Sequence, residues 1–270
     1  MSTQINRIFD SLRSEKKSAL MPFITGGYPS LDVTTAAIEA IAHSGASIIE
    51  VGIPFSDPIA DGPVIAASMH DALQNGADPH SVFNAVRTAR AKTSVGLIAM
   101  VSVSIVTRIG AKNFIAQAAD SGFDGLIVPD LDLSQARELS NLCESRNVAL
   151  ALLIAPTTSP VRMAQITESC RGFIYLLARA GLTGEQESSP EISSSVNAIR
   201  SVSKLPIAAG FGISTPEHVA AVTKFADAAI VGSALVRRMG KGDPVSAAAD
   251  FTRLLATGLR TGLPMSSFSN

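Results

Sequence analysis

The sequence has little net charge, few cysteines and histidines, and no long hydrophobic run. Its 22 basic and 23 acidic residues give a net charge of −1, so no basic surface is available to attract nucleic acid or an anionic membrane. A small-molecule substrate is therefore favoured over either partner. No apolar run approaches the roughly 20 residues needed to cross a bilayer. Because residues 1–17 also lack the apolar core of a signal peptide, we expect a soluble, cytoplasmic protein.

The cysteines and histidines give no sign of a disulfide framework or a metal site. Cys143 and Cys170 lie far apart in segments of helical character, so their spacing fits neither use. The histidines show no paired spacing, and we expect no metal. They are His43, His70, His80 and His218.

What the chain does have is a regular alternation of apolar and helical runs. It contains 270 residues, of which 46% are hydrophobic and 17% charged, enough for a large core. Eight apolar runs predict strands at 19–27, 48–51, 95–103, 125–130, 148–156, 172–178, 205–212 and 228–236. Helices are predicted at 4–14, 31–44, 64–75, 79–91, 110–121, 133–145, 159–169, 192–202 and 215–224, with the last ones after strand eight.

This alternation predicts a parallel sheet covered by helices. Eight such units close naturally into a (β/α)8 TIM barrel of the α/β class. We expect a single domain over residues 1–270 with an extra N-terminal helix, since no linker or change in composition divides the chain. A doubly wound open sheet is the alternative, weakened because no glycine-rich GxGxxG turn follows the first strand.

The stretch 47–63, SIIEVGIPFSDPIADGP, places a carboxylate inside a short β-branched strand. Burying Glu50 there is costly unless the group is paired, hydrogen-bonded or used. The following loop, rich in proline and glycine, carries Asp57 and Asp61, so that Glu50 and Asp61 could face one cleft. Taken alone, Glu50 is more simply a buried structural acid, and Asp57 is more simply a turn residue because Ser-Asp-Pro is ordinary turn chemistry.

Glycine-rich segments end the last two predicted strands, at 210–214 and 232–234. Glycine allows backbone N–H groups to approach a ligand closely, and a following helix N-terminus favours an anion. Either segment alone is more simply a packing or turn feature. Because phosphate sites of this fold recur on the loops after strands seven and eight, the two together predict a phosphorylated substrate.

Several of these segments also resemble one known family. Glu50 followed by PFSDPIADGP resembles the signature of the tryptophan synthase alpha subunit family. The similarity continues over nearly the whole chain, in TGGYPS at 25–30, GFDGLIVPDL at 122–131, YLLARAGLTG at 175–184, GFGIS at 210–214 and GSALV at 232–236.

The resemblance implies a lyase of tryptophan biosynthesis that splits indole-3-glycerol phosphate into indole and glyceraldehyde 3-phosphate. It implies that Glu50 and Asp61 are the catalytic carboxylates and that this chain has no cofactor. The expected partner is a PLP-dependent beta subunit, in an α2β2 heterotetramer. The substrate-binding residues that it implies are Phe23, Tyr175 and Phe211 around the indole, and Gly184, Gly212, Gly232 and Ser233 around the phosphate.

The loop 179–191 is predicted to be a mobile lid over the barrel mouth, because it carries glycines and few apolar residues. From composition alone, a disordered surface excursion fits about as well. By the resemblance, Thr183 hydrogen-bonds Asp61 when the loop closes, and this favours the lid.

One segment departs from the family pattern, in which a Tyr-Asn-Pro run usually ends strand three. Here MVSVSIVTRIG at 100–110 takes that place, with Val103, Ser104 and Ile105 where the run would stand. The departure bears on pocket shape and partner contact rather than on the catalytic acids. Two alternatives stay open. One is another phosphate-binding barrel enzyme, such as a sugar-phosphate isomerase. The other is a non-catalytic activating subunit, which only the altered segment 100–106 favours.

Overall fold

A computed structural model of the chain describes residues 2–57, 61–178, 192–210 and 212–259. Within these ranges the short apolar runs form strands that pair only in parallel. The strands are β1 (Ala19–Thr25), β2 (Ile48–Gly52), β3 (Gly96–Met100), β4 (Gly125–Ile127), β5 (Ala149–Ala151), β6 (Leu153–Ile154), β7 (Ile174–Leu177), β8 (Ile207–Gly210) and β9 (Ala228–Val231).

The sheet closes on itself through one stretch of chain. Its order is β5-β4-β3-β2-β1-β9-β8-β7-β6, and β5 and β6 are consecutive parts of the stretch 149–154. The first part pairs with β4 and the second with β7. This stretch is therefore the fifth strand of an eight-stranded barrel. The predicted (β/α)8 barrel is confirmed, and the doubly wound open sheet is wrong.

The helices form the outer layer, and most begin with a side-chain cap such as Ser30, Asp78 or Asp132. They are α1 (Gln4–Ser14), α2 (Leu31–His43), α3 (Pro63–Gln74), α4 (Pro79–Arg90), α5 (Val103–Ile109), α6 (Ala111–Asp120), α7 (Leu133–Ser145), α8 (Pro160–Ser169), α9 (Ser193–Arg200), α10 (Pro216–Thr223), α11 (Ser233–Met239) and α12 (Pro244–Ala256). Of the helices in the described ranges, none has the length and apolar character to cross a membrane.

Successive strand residues pack alternately in the barrel interior and between the strands and the helices. This alternation determines which side chains point toward the site. In β2, Ile48 packs in the barrel interior, whereas Ile49 and Val51 pack between the strands and the helices. Because successive side chains of a strand point to opposite faces, Glu50 is directed into the barrel interior. The extra N-terminal helix α1 contributes Ile5 to the same interior cluster.

Most strands are shorter than their predicted apolar runs, and in two of these runs a helix begins before the run ends. Strand β3 ends at Met100 rather than at residue 103, because Ser102 caps the helix α5. Strand β9 ends at Val231 rather than at residue 236, and the carbonyl of Gly232 already accepts helical bonds from the N–H groups of Leu235 and Val236. A short apolar run fits a strand and a buried helix equally well, so the sequence pattern missed both boundaries.

Candidate active site

Glu50 lies at the centre of the candidate site, on β2. Its strand neighbours in register are Phe23 on β1 and Ile98 on β3. Its side chain is completely buried, and neither carboxyl oxygen has a hydrogen-bond partner among the described residues. A buried polar group without a partner is expensive, so the structure retains the cost that the apolar strand around Glu50 predicted.

Burial governs the protonation of this carboxyl. It raises the pKa of Glu50 from its ordinary value of 4.5 to about 8, because the charged form loses its hydration. At neutral pH the group therefore holds its proton. A carboxylic acid with a pKa near the working pH is suited to both give and take a proton during a reaction.

Asp61 provides a second acid in a different environment. It is half-buried and stands just before α3, and burial raises its pKa from 3.8 to about 6. At pH 7 it is mostly ionised, whereas Glu50 is mostly protonated. The two acids therefore differ in charge at neutral pH, as a division between a proton donor and an electrostatic partner requires.

Asp57, the other acid of the loop, lies in a different setting. Its side chain is exposed, and one carboxylate oxygen accepts a bond of 3.1 Å from the Ser56 hydroxyl. This arrangement is consistent with the turn interpretation. Of the two loop acids, Asp61 is the one withdrawn from solvent, whereas Asp57 is exposed.

Tyr175 lies on the side of the barrel opposite Glu50, and its side chain packs in the interior. It lies on β7, paired in register with Leu153 and Ala208. Burial raises the pKa of its phenol well above the ordinary value, and the charges of Glu50 and Asp61 raise it further. Tyr175 packs in the barrel interior, into which the Glu50 side chain is directed, so these two groups share one region.

An apolar wall surrounds these polar groups. Tyr175 packs in the interior cluster that also contains Ile98, Ile127 and Ile230. Phe23 packs in a neighbouring cluster with buried partners from α3 and α11. Met100, at the end of β3, packs against both clusters and so joins them.

The family resemblance identified Phe23 and Tyr175, whereas no sequence pattern indicated Met100, Ile127 or Ile230. The period-two alternation would have placed Met100 on the same face as Ile98, had the end of β3 been known. That these strands meet around one pocket follows from barrel closure, which no local pattern reveals.

The glycines at the ends of β8 and β9, Gly210 and Gly232, differ in how much space a side chain would have. A Cβ added at Gly210 would lie 2.9 Å from both the Tyr175 hydroxyl oxygen and the Ile230 Cβ, so packing requires glycine there. Among the described residues, the nearest atom to a Cβ added at Gly232 would be the Phe23 Cβ at 3.8 Å, which is ordinary contact. Crowding in the free protein does not explain Gly232, whereas close approach of a ligand would.

The residues predicted to hold phosphate lie next to these strand ends. Gly232 directly precedes α11 and caps it without a side-chain hydrogen bond, and Ser233, the first helical residue, is 7% exposed. Gly212 follows β8 and has a φ of 77°, a conformation that favours glycine. The loop after it is held by His218, whose Nδ1 accepts a bond of 3.4 Å from the Ser214 N–H.

Three predicted site residues, Thr183, Gly184 and Phe211, lie outside the described residues, as does the loop 179–191. Within the described ranges, no group of three or more histidine, cysteine, aspartate or glutamate side chains could hold a metal ion. Cys143 and Cys170 are buried, and burial raises the pKa of each thiol to about 12, so neither supplies a thiolate at neutral pH.

Known proteins are similar to this chain in both sequence and architecture. The family model described as "Tryptophan synthase alpha chain" matches residues 9–258. The tryptophan synthase alpha chain of a Synechococcus species is 41% identical over 251 residues, which are 92% of this chain and 93% of that protein. That of Trichormus variabilis is 40% identical over 264 residues, covering 96% of this chain and 99% of its own length.

Solved structures agree with the sequence comparison. A chain in the structure of Mycobacterium tuberculosis tryptophan synthase matches with a TM-score of 0.89 at 33% identity, covering 97% of this chain and 100% of that one. Tryptophan synthase subunit alpha from Legionella pneumophila matches with a TM-score of 0.88 at 32% identity, covering 96% and 98%. These matches favour the lyase over both alternatives left open by the sequence. The chain belongs to the tryptophan synthase alpha chain family.

Proposed function

We propose that this chain cleaves indole-3-glycerol phosphate to indole and glyceraldehyde 3-phosphate, with Glu50 and Asp61 as its two catalytic carboxyl groups. Family membership supports the lyase reaction. The observation that supports the residue assignment is the state of Glu50, a completely buried carboxyl without a partner among the described residues and with a pKa of about 8.

Glu50 moves the protons of the reaction. In its protonated state it gives a proton to C3 of the indole, and positive charge builds at the indole nitrogen. The carboxylate that results takes the proton of the hydroxyl on the adjacent carbon. As that oxygen forms a carbonyl, the carbon–carbon bond breaks and its electron pair returns to the indole ring. Glu50 ends protonated as it began, because it acts first as acid and then as base.

Asp61 stabilises the charge that develops in between. Its pKa of about 6 leaves it mostly ionised at pH 7. An ionised carboxylate that accepts the indole N–H favours the cationic intermediate over the neutral substrate, in a site with few other charges. Glu50 cannot fill this role while it is protonated, and the unequal pKa values therefore support the two assignments.

The remaining side chains bind the two halves of the substrate. Phe23 and Tyr175 would supply apolar and aromatic surface for the indole, and the family resemblance assigns Phe211 to the same wall. At the other end, the first N–H groups of α11 have no partner within the helix. These groups and the Ser233 hydroxyl would hold the phosphate. The space beside Gly232 supports this assignment.

Gly212 and Gly184 are assigned to the phosphate, and Thr183 to Asp61, by the family resemblance. In this proposal the loop 179–191 closes over the bound substrate and brings Thr183 to Asp61. Closure would exclude water from the reacting groups.

The alpha chain of the family carries no cofactor of its own, and PLP belongs to the beta subunit. We assign the beta subunit as the partner of this chain, in an α2β2 complex that consumes the indole. A cytoplasmic location follows from this biosynthetic role. We also propose that residues 1–270 form one barrel unit, because the strands of the described ranges share one closed sheet.

The release of indole from indole-3-glycerol phosphate, measured with and without a beta subunit, tests the proposal. We expect the chain alone to release indole and the beta subunit to accelerate the release. If the folded chain released none in either condition, the lyase assignment would be wrong. Turnover of a sugar phosphate in its place would support the isomerase alternative.

A further inference from the structure

One carboxylate joins two loops at the mouth of the barrel. Asp130, in the loop after β4, accepts a bond of 2.7 Å from the Ser102 hydroxyl and one of 2.8 Å from the Val103 backbone N–H. Its two carboxylate oxygens each take one of these bonds. Ser102 and Val103 follow β3, at the start of α5, whereas Asp130 follows β4. The contact therefore crosses between neighbouring units of the barrel.

The contact also fixes the start of α5. Val103 is the first residue of this helix, and its N–H is one of the donors that a helix leaves without an internal partner. The Ser102 hydroxyl donates to Asp130 and lies 2.6 Å from the Ser104 hydroxyl, which must then be the donor between the two serines. Bonds to a carboxylate are stronger than bonds between neutral groups, so Asp130 is the strongest acceptor in this small network.

The backbone just before the contact borders the proposed indole pocket. Met100 packs against the interior cluster of Tyr175 and against the cluster of Phe23. The carbonyl of Met100 accepts a bond of 2.8 Å from the N–H of Ile53, and Ile53 begins the loop that carries Asp61. A shift of α5 would therefore reach both the apolar wall and the loop of the second acid.

We propose that Asp130 is a positioning residue for the lyase reaction. It holds the start of α5 and thereby keeps Met100 and the first residue of the Asp61 loop in place around the indole. The inference rests on the proposed function, because it specifies how the same pocket is kept in shape. The predicted phosphate site lies across the barrel at the ends of β8 and β9, so Asp130 should govern the indole half of the substrate alone.

The test compares Asp130→Ala with a matched control, Asp132→Asn. Asp132 belongs to the same loop and caps its own helix α7 through a bond of 2.8 Å from the Ser134 N–H. We expect Asp130→Ala to lower kcat/KM for indole-3-glycerol phosphate by about 10- to 100-fold, as small misplacements of reacting groups do. The control should stay within about twofold of the wild type, because its bond belongs to α7.

Two milder variants keep the test informative if Asp130→Ala folds poorly. Asp130→Asn retains an oxygen that can accept from Val103, and Ser102→Ala removes one of the two bonds to Asp130 together with the side-chain cap of α5. Both should give losses between those of the control and of Asp130→Ala.

Binding of indole and of glycerol 3-phosphate, an analogue of the phosphorylated product, distinguishes positioning from a general loss of structure. We expect Asp130→Ala to raise the Kd for indole several-fold and to leave the Kd for glycerol 3-phosphate unchanged. Equal weakening of both ligands would overturn the inference, and so would kinetics and indole binding equal to those of Asp132→Asn. A wild-type chain that released no indole would instead contradict the proposed function, so the two failures are distinct.

Discussion

Replacement of Glu50 by glutamine should change how the stability of the protein depends on pH. Glutamine has nearly the same shape but cannot ionise. In the wild type, burial raises the pKa of Glu50 from 4.5 to about 8, so the folded state binds this proton more tightly than the unfolded state does. The proton is therefore linked to folding.

The sign and size follow from that shift. Between pH 4.5 and 8 the folded state holds more protons than the unfolded state. The contribution of Glu50 to the free energy of unfolding is therefore fully present below pH 4.5 and is lost as pH rises toward 8. Each pH unit in this window lowers the free energy of unfolding by about 1.4 kcal/mol. From pH 5 to pH 7.5 the wild type should lose about 3 kcal/mol from this group, a loss that Glu50→Gln does not suffer.

Urea unfolding followed by circular dichroism measures the effect on both proteins at pH 5, 6, 7 and 7.5. The difference in unfolding free energy, Glu50→Gln minus wild type, should grow in favour of the variant by about 3 kcal/mol over this range. Contributions from other titrating groups, Asp61 included, are present in both proteins and largely cancel.

A difference that did not change with pH would refute the reasoning. It would mean that Glu50 ionises in the folded protein as it does in water. The group would then be charged at neutral pH and would have no proton to give to the indole.

Four further substitutions test the other assignments. Asp61→Asn should reduce kcat severely and Asp57→Asn only mildly, because only Asp61 is buried beside Tyr175; greater sensitivity at Asp57, measured on folded proteins, would show that the loop is misassigned. Gly232→Asp should raise KM strongly through steric and charge repulsion of the phosphate, while the room beside Gly232 leaves the fold intact; an unchanged KM would place the phosphate elsewhere. Thr183→Val should lower activity and weaken activation by the beta subunit, and equal hydrogen exchange across 179–191 with and without a substrate analogue would contradict the lid.

The barrel was predictable from the sequence because its signal is repeated. Each apolar run of four to nine residues is ambiguous alone, but eight of them in alternation with helices leave few architectures. The errors arose where a helix follows a strand without a polar break, as at Val231 and Ser233. The division of the fifth strand between β4 and β7 was not predictable, because it depends on how the whole sheet closes.

The site was predictable where one residue violates the local pattern. Glu50 drew attention because a carboxylate in a β-branched strand is costly. The structure bears out that cost, because Glu50 is completely buried and has no partner among the described residues. Met100 and Asp130 gave no such signal. A methionine at a strand end and an aspartate in a loop are common, and their importance comes from contacts between units far apart in the chain.

The most direct test of the account is the rate of indole release from indole-3-glycerol phosphate at pH 7.5, for the wild type and Glu50→Gln with the beta subunit present. The account predicts that the wild type releases indole and that the variant, folded and still able to bind the beta subunit, is slower by roughly 10²- to 10⁴-fold. A variant that kept more than about a tenth of the wild-type kcat would contradict the assignment of Glu50 as the proton-transfer group.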